Sequence, residues 1–180
     1  MSRLAIPARS AAPAAAQPLL DAVESQLGVV PNLFRLLALS PPALEGFLGL
    51  SGALSRTLDA KTREGIALAT AQVNGCDYCL SAHSYLGAQV AKLDAAEIAA
   101  NRRGASADAR TGVALEFARS VAERRGQVDD GALEAVRRAG YGDAEIVEIV
   151  AQVALNVLTN FLNNTAETDI DFPVVSSQAA

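Results

Sequence analysis

Three features of the 180-residue sequence predict an all-α fold. No stretch alternates apolar and polar residues for long enough to make a convincing strand. Apolar residues make up 51% of the chain, but aromatics only 4%, and Trp is absent. The apolar mass is therefore mostly Ala, Leu and Val, which suits closely packed helices. Caps and breakers then cut the chain into amphipathic segments of helical length. The expectation is a compact bundle of about seven to eight helices in one domain over residues 18–175. Residues 1–17 form a flexible N-terminal tail ahead of it.

Each element has a local reason. The first 17 residues are small and Pro-punctuated, a composition that reads as disorder. A short helix runs from Leu19 to Leu27 and stops at Gly28. Pro31 opens a second, ending near Ser40, and Pro41–Pro42 open a third. Leu44, Phe47, Leu48, Ala53 and Leu54 give that third helix its apolar face. Asp59 caps a fourth, from Ala60 to Val73. Asn74–Gly75 is a strong breaker, and a fifth helix starts near Cys76 and reaches about Val90. Asp94 and Glu97 are spaced as a capping box. Asp108 to Arg125 is amphipathic, with Val113, Leu115, Phe117 and Val121 inward. Asp129 or Asp130 opens the next helix, which ends at Gly140. Asp143 caps the last, from Ala144 to about Asn164. After Thr168 the chain is expected to be extended and docked on a neighbour. A faint echo links Ala71-Gln72-Val73 to Ala151-Gln152-Val153, as a duplicated helical unit would.

Charge and composition exclude some functions. The net charge is −5, and basic residues occur only as short pairs, so nucleic acid is not the expected partner. The most apolar stretch, Ile146 to Leu162, is interrupted by Glu148, Gln152, Asn156 and Asn160, which argues against a membrane span. The N-terminus lacks the apolar core of a signal peptide. A cytoplasmic location is the default expectation. In that reducing compartment two cysteines are catalytic, redox-active or metal-binding sooner than structural.

Both cysteines and the only histidine fall within eight residues, at Cys76, Cys79 and His83. On a helix, residues four apart are neighbours, which pairs His83 with Cys79. Cys76 lies seven residues from His83, about 10 Å along the axis, too far for direct contact. Cys76 and Cys79 can be bridged after a modest local distortion, least costly in the first turn beside Gly75. The thiolate is the nucleophile. At a pKa near 8.5 only about 3% is ionised at pH 7, and a drop of roughly 2 units, worth about 2.7 kcal/mol, makes most of it reactive. The helix N-terminus can supply part of that for Cys76 and, more weakly, Cys79. His83 can take the proton from Cys79. If Asn74–Gly75 joins an antiparallel pair, Glu64 lies about 15 Å before the turn, at nearly the height of His83. A carboxylate there can orient the imidazole and raise its basicity.

The spaced pattern Glu64-x11-Cys76-x-x-Cys79-x3-His83 resembles the motif of the alkylhydroperoxidase D-like (AhpD-like) proteins of the carboxymuconolactone decarboxylase superfamily. Val30-Pro-Asn-Leu-Phe34 and Asn156-x3-Asn160…Asp169-Ile-Asp-Phe-Pro173 are similar to a peroxidase-related subgroup, so the resemblance spans roughly residues 20 to 175. It implies an all-helical peroxidase of hydrogen peroxide or organic hydroperoxides. Carried over, Cys79 is the peroxidatic thiol, Cys76 resolves it to a disulfide, and His83 and Glu64 form a proton relay. No cofactor beyond that redox-active disulfide is implied, and an external dithiol serves as reductant. The resemblance also implies a homo-oligomer, trimer or hexamer. One position departs: Tyr78 stands where the founding enzyme has His. Its lipoylated electron donor is therefore not assumed.

Rival readings remain at this level. Cys76, Cys79, His83 and Glu64 are four plausible zinc ligands, although Cys76 and His83 could share a metal only if their helix unwound. A carboxymuconolactone-decarboxylase-like activity would not need the paired cysteines. A redox sensor would oxidise with little turnover. A thioredoxin-like domain is not expected, because no strand pattern precedes the pair.

Overall fold

Helix α4 (Ala60–Val73) organises the chain. Asp59 starts it in extended conformation, accepting from Thr62 N at 3.0 Å and from the Thr62 hydroxyl at 2.6 Å. A side-chain acceptor at this position satisfies an amide that the helix itself leaves unpaired. The helix is rich in Ala, and eight of its residues are buried. At Gly65 a Cβ would stand 2.8 Å from the Leu115 side chain and 3.2 Å from Asn101 Nδ2. The missing side chain lets a neighbouring helix settle directly on α4.

The computed structural model describes residues 2–178. Among these, α1 is Gln17–Leu27, α2 Asn32–Leu37, α3 Pro41–Leu54, α5 Asp77–Gln89 and α6 Ala95–Arg102. Helix α7 is Ala109–Glu123, α8 Asp130–Arg138 and α9 Asp143–Ala166. The described residues contain no strand. The all-α expectation holds, with nine helices where about seven to eight were expected. Two short ones persist because their first turns are capped: Asp171 accepts from Asn32 N at 2.7 Å, and Asp94 from Glu97 N at 2.8 Å.

Helices α5, α6, α7 and α9 all pack on α4. Gly75, at φ +60°, turns the chain from α4 into α5, a left-handed conformation that suits a residue without a Cβ. Helix α9 runs beside α4 in the same direction. Its Gln152 bonds the Leu54 carbonyl ahead of α4, and its Asn160 bonds Asn74 at the far end of α4. One apolar cluster joins Ile66, Leu115, Val136 and Ile149 from α4, α7, α8 and α9. A second holds α1 to α3, with Leu20, Val23, Leu37 and Leu44. The third surrounds the two cysteines.

Four local expectations are corrected. Residues 9–16 form two short 3-10 turns, and Ala12 and Ala16 are buried in the second cluster. Small residues that read as disorder here fill close contacts, so the segment is not a free tail. Gly142, not Asp143, precedes α9, and Glu145 reaches back to accept from Gly142 N at 2.9 Å. The segment after Thr168 docks on its own chain, as a strap across α4, α5 and α6: Val175 N donates to Ser81 Oγ, Ser177 N to Asp77 Oδ1, and Gln72 Nε2 to the Ser177 carbonyl. The internal echo has no architectural counterpart, because α9 continues unbroken where α4 ends. Helix α9 is long and apolar enough to cross a membrane by length and composition. In this fold it is a core helix with Gln152, Asn156, Asn160 and Asn163 buried.

Candidate redox site

The site forms where α4 hands over to α5. Cys76 has extended dihedrals and stands just before the helix, with its sulfur accepting from Cys79 N at 3.3 Å. It is a cap and not the first helical residue. That non-helical position supplies the distortion the cysteine spacing requires. The two sulfurs are 2.6 Å apart, closer than two thiols stand in ordinary contact and a short step from disulfide distance, and both cysteines are free. Cys76 is 0% and Cys79 3% exposed, so a reactant has to enter the protein to meet either sulfur.

The two thiols are driven in opposite directions. The contact with Cys79 and then burial hold the Cys76 thiol well above its ordinary range. For Cys79 the contact with Cys76 lowers the pKa most. Burial opposes it; the charge of His83 and the amides of Asn163 and Asn160 lower it further, to about 6. The sulfur nearer the helix terminus is thus the one held as a thiol more firmly, and the one a turn inside is the more readily ionised. A single negative charge shared by two touching sulfurs settles on the one with more donors around it.

His83 and Glu64 meet as the helix count suggests. His83 Nδ1 and Glu64 Oε2 are 2.8 Å apart, both partly buried. Burial works to lower the His83 pKa, but the Glu64 charge and hydrogen bond outweigh it and the net shift is upward. A protonated imidazole beside Cys79 favours the thiolate and holds a proton in reserve. Among the described residues, no hydrogen bond joins His83 to Cys79 directly; the sulfur's side-chain partners are Cys76 and Asn163.

Tyr78 takes no part in this pairing. Its hydroxyl accepts from Leu33 N at 3.1 Å, and its ring meets Phe172 of the strap edge to face. Burial raises the phenol well above its ordinary range. The residue ties α5 to α2 and to the strap. Among the described residues, no group of three or more His, Cys, Asp and Glu side chains is placed to hold a metal ion.

Sequence reasoning missed the amides. Asn163 Nδ2 donates to Cys79 Sγ at 3.3 Å, and Asn74 Nδ2 to Asn160 Oδ1 at 2.9 Å. The available signal is a set of asparagines in an otherwise apolar helix: Asn156 and Asn160 interrupt the apolar stretch and belong to the subgroup resemblance, but neither feature points to a contact with Cys79.

Residues 41–124 match the carboxymuconolactone decarboxylase family. A crystal structure of an alkylhydroperoxidase AhpD core, a peroxidase-related protein from Ralstonia eutropha JMP134, is 30% identical. The match covers 94% of this chain and 92% of that one, with a TM-score of 0.82. The chain is an AhpD-like member of the carboxymuconolactone decarboxylase superfamily. A peroxidase-related protein from Silicibacter sp. TM1040 is 25% identical over 93% of this chain and 91% of its own, at a TM-score of 0.81. The debrominase Bmp8, solved with 2,3,4-tribromopyrrole, shares the fold at 21% identity, 95% and 94% coverage and a TM-score of 0.80. No curated protein sequence matches the chain. The AhpD-like fold is thus shared by proteins of more than one chemistry, and the assignment to an enzyme family does not by itself choose among them.

Proposed function

We propose that the protein is a thiol peroxidase with an antioxidant role, reducing hydrogen peroxide or organic hydroperoxides. The observation that carries this reading is the Cys79 sulfur, which stands 2.6 Å from the Cys76 sulfur and lies in the field of the His83–Glu64 pair. The Cys79 thiolate attacks one peroxide oxygen, the O–O bond breaks, and the sulfur becomes a sulfenic acid. The departing oxygen takes its proton from His83, which Glu64 holds in place, and leaves as water or an alcohol. Cys76 then attacks the sulfenic sulfur; a disulfide forms and water departs with the Cys76 proton. An external dithiol returns the pair to thiols and is itself oxidised to a disulfide. The donor's identity, lipoyl-bearing or otherwise, is left to a donor panel.

The reading extends to a reducing compartment, the cytoplasm, and to a homo-oligomer, trimer or hexamer. Val147, Val150, Leu158 and Phe161 lie exposed along one face of α9, an apolar line that association would cover. Light scattering that returned a monomer at every concentration would remove the second point.

The deciding experiment follows peroxide loss in the presence of dithiol donors, including dihydrolipoamide. Cys79→Ser is expected to abolish it. Cys76→Ser is expected to react once and stop as a sulfenic acid that a dione probe captures. The reverse pattern would exchange the two roles. Stoichiometric oxidation without turnover under every donor would replace the peroxidase with a redox sensor.

A further inference from the structure

The Cys79 sulfur lies against a helix that the relay does not use. Asn163 is 2% and Asn160 0% exposed, and both stand on the α9 face turned to the redox site. Asn163 Nδ2 donates to Cys79 Sγ at 3.3 Å. Its Oδ1 is buried without a partner, and so is Asn160 Nδ2. An unpaired buried amide atom carries an uncompensated desolvation cost, so two in one place need an explanation.

Turning the Asn160 amide alone would set its Nδ2 against Asn74 Nδ2, donor to donor. Asn74 Nδ2 donates to Asn160 Oδ1, and Asn74 is itself held through its carbonyl by Asn164 Nδ2 at 2.9 Å. With Asn74 as the donor of this pair, the free end of the Asn160 amide is its Nδ2. For Asn163 the reversed amide would set a carbonyl oxygen against the sulfur. That arrangement suits a neutral thiol, which can donate a proton, and repels a thiolate.

We infer that Asn163 and Asn160 form a carboxamide cradle that holds negative charge on the Cys79 sulfur. Asn163 supplies the standing donor. The free Asn160 Nδ2 supplies a second, available to the thiolate and to the oxygen that the sulfur acquires. Preorganised donors in a dry site favour the charge that develops there and need no rearrangement when it appears. The direction in which both amides move the Cys79 pKa agrees with this arrangement. The inference rests on the reading of Cys79 as the nucleophile.

The test reads the rate of Cys79 alkylation by iodoacetamide against pH in the full chain, with Cys76→Ser as common background, so that one thiol reports. Asn163→Leu and Asn160→Leu keep side-chain volume and remove the donor. Each is expected to move the midpoint of the profile upward, by about one unit for Asn163→Leu, which slows alkylation about tenfold on the acid side. Asn156→Ala serves as the control: Asn156 is buried on α9 and bonds the Gln152 carbonyl, and its loss is expected to leave the midpoint in place. Should Asn163→Leu fail to fold, Asn163→Ala and Asn160→Leu carry the comparison. An unmoved midpoint in folded donor-less variants overturns the cradle. An equal shift in Asn156→Ala overturns it too, because the effect would then be general to the helix. If the midpoints move as expected but the wild type consumes no peroxide, the peroxidase reading fails and the cradle stands.

Discussion

The two halves of α9 face the same interior with different chemistry. The first half buries Ile146, Ile149 and Val153 in the cluster shared with α4, α7 and α8. The second half buries Asn156, Thr159, Asn160 and Asn163. Both are close-packed, and both lie on one unbroken helix. The apolar half gains from every methylene it removes from water. The amide half forgoes that gain and leaves two amide atoms unpaired beside the thiol, against the single carboxylate oxygen of Glu148 in the first half. A helix does so at little benefit to stability, and the polar stretch is the part that meets Cys79. Stability and chemistry are thus divided along the length of one element, and the division can be tested from each side.

The largest expected effect belongs to the amide half and is kinetic. Below about pH 6, the value to which Cys79 is lowered, its alkylation is expected to slow about tenfold for each unit of pH. The stability sign follows from the same shift. The folded pKa lies below the ordinary thiol value, so the contribution is full above that value and is lost as pH falls through about 6. Urea unfolding of wild type and Cys79→Ser should therefore converge between pH 9 and pH 5. Curves that stayed parallel over that range would show that Cys79 is not ionised in the fold.

A smaller effect is expected from the apolar half. Ile149 is fully buried, and Ile149→Ala is expected to cost about 2–5 kcal/mol of unfolding free energy through lost transfer energy and a cavity. The alkylation midpoint of Cys79 should not follow. A midpoint that moved with this loss of stability would mean that the two halves are coupled, and that the thiol's state depends on packing as much as on its donors.

How much of this could be read in the sequence depended on range. The pairing of Glu64 with His83 was legible because one turn, Asn74–Gly75, fixes two helices, and counting 1.5 Å per residue on each side does the rest. The helix starts at Asp59, Asp94 and Asp108 were legible because a side chain and an amide three residues on form a purely local bond. Cys76 as a cap was not, because cysteine is not among the favoured capping residues. The contact from Asn163 to Cys79 spans 84 positions and leaves no periodic trace. An asparagine in an apolar helix shows only that something polar is nearby, not what. The tail misled for a different reason: alanine counts as weakly apolar in composition, but at the cleft that takes Ala12 and Ala16 its small size is what packs.

The strap over α5 has a consequence for how the thiols are reached. Ile170, Phe172 and Val175 pack on the cluster that contains Cys76 and Cys79, and the strap is held by separate hydrogen bonds to Ser81, Asp77, Gln72 and Arg102. No helical ladder couples those bonds, so residues 175–177 can open without unfolding a helix, whereas Asp171 further back caps α2. Amide exchange and thiol exposure in this region are then expected to report a sub-global opening at lower free energy than unfolding of the bundle. Two proteins with identical thiols and identical global stability would differ in oxidation kinetics if their straps differed.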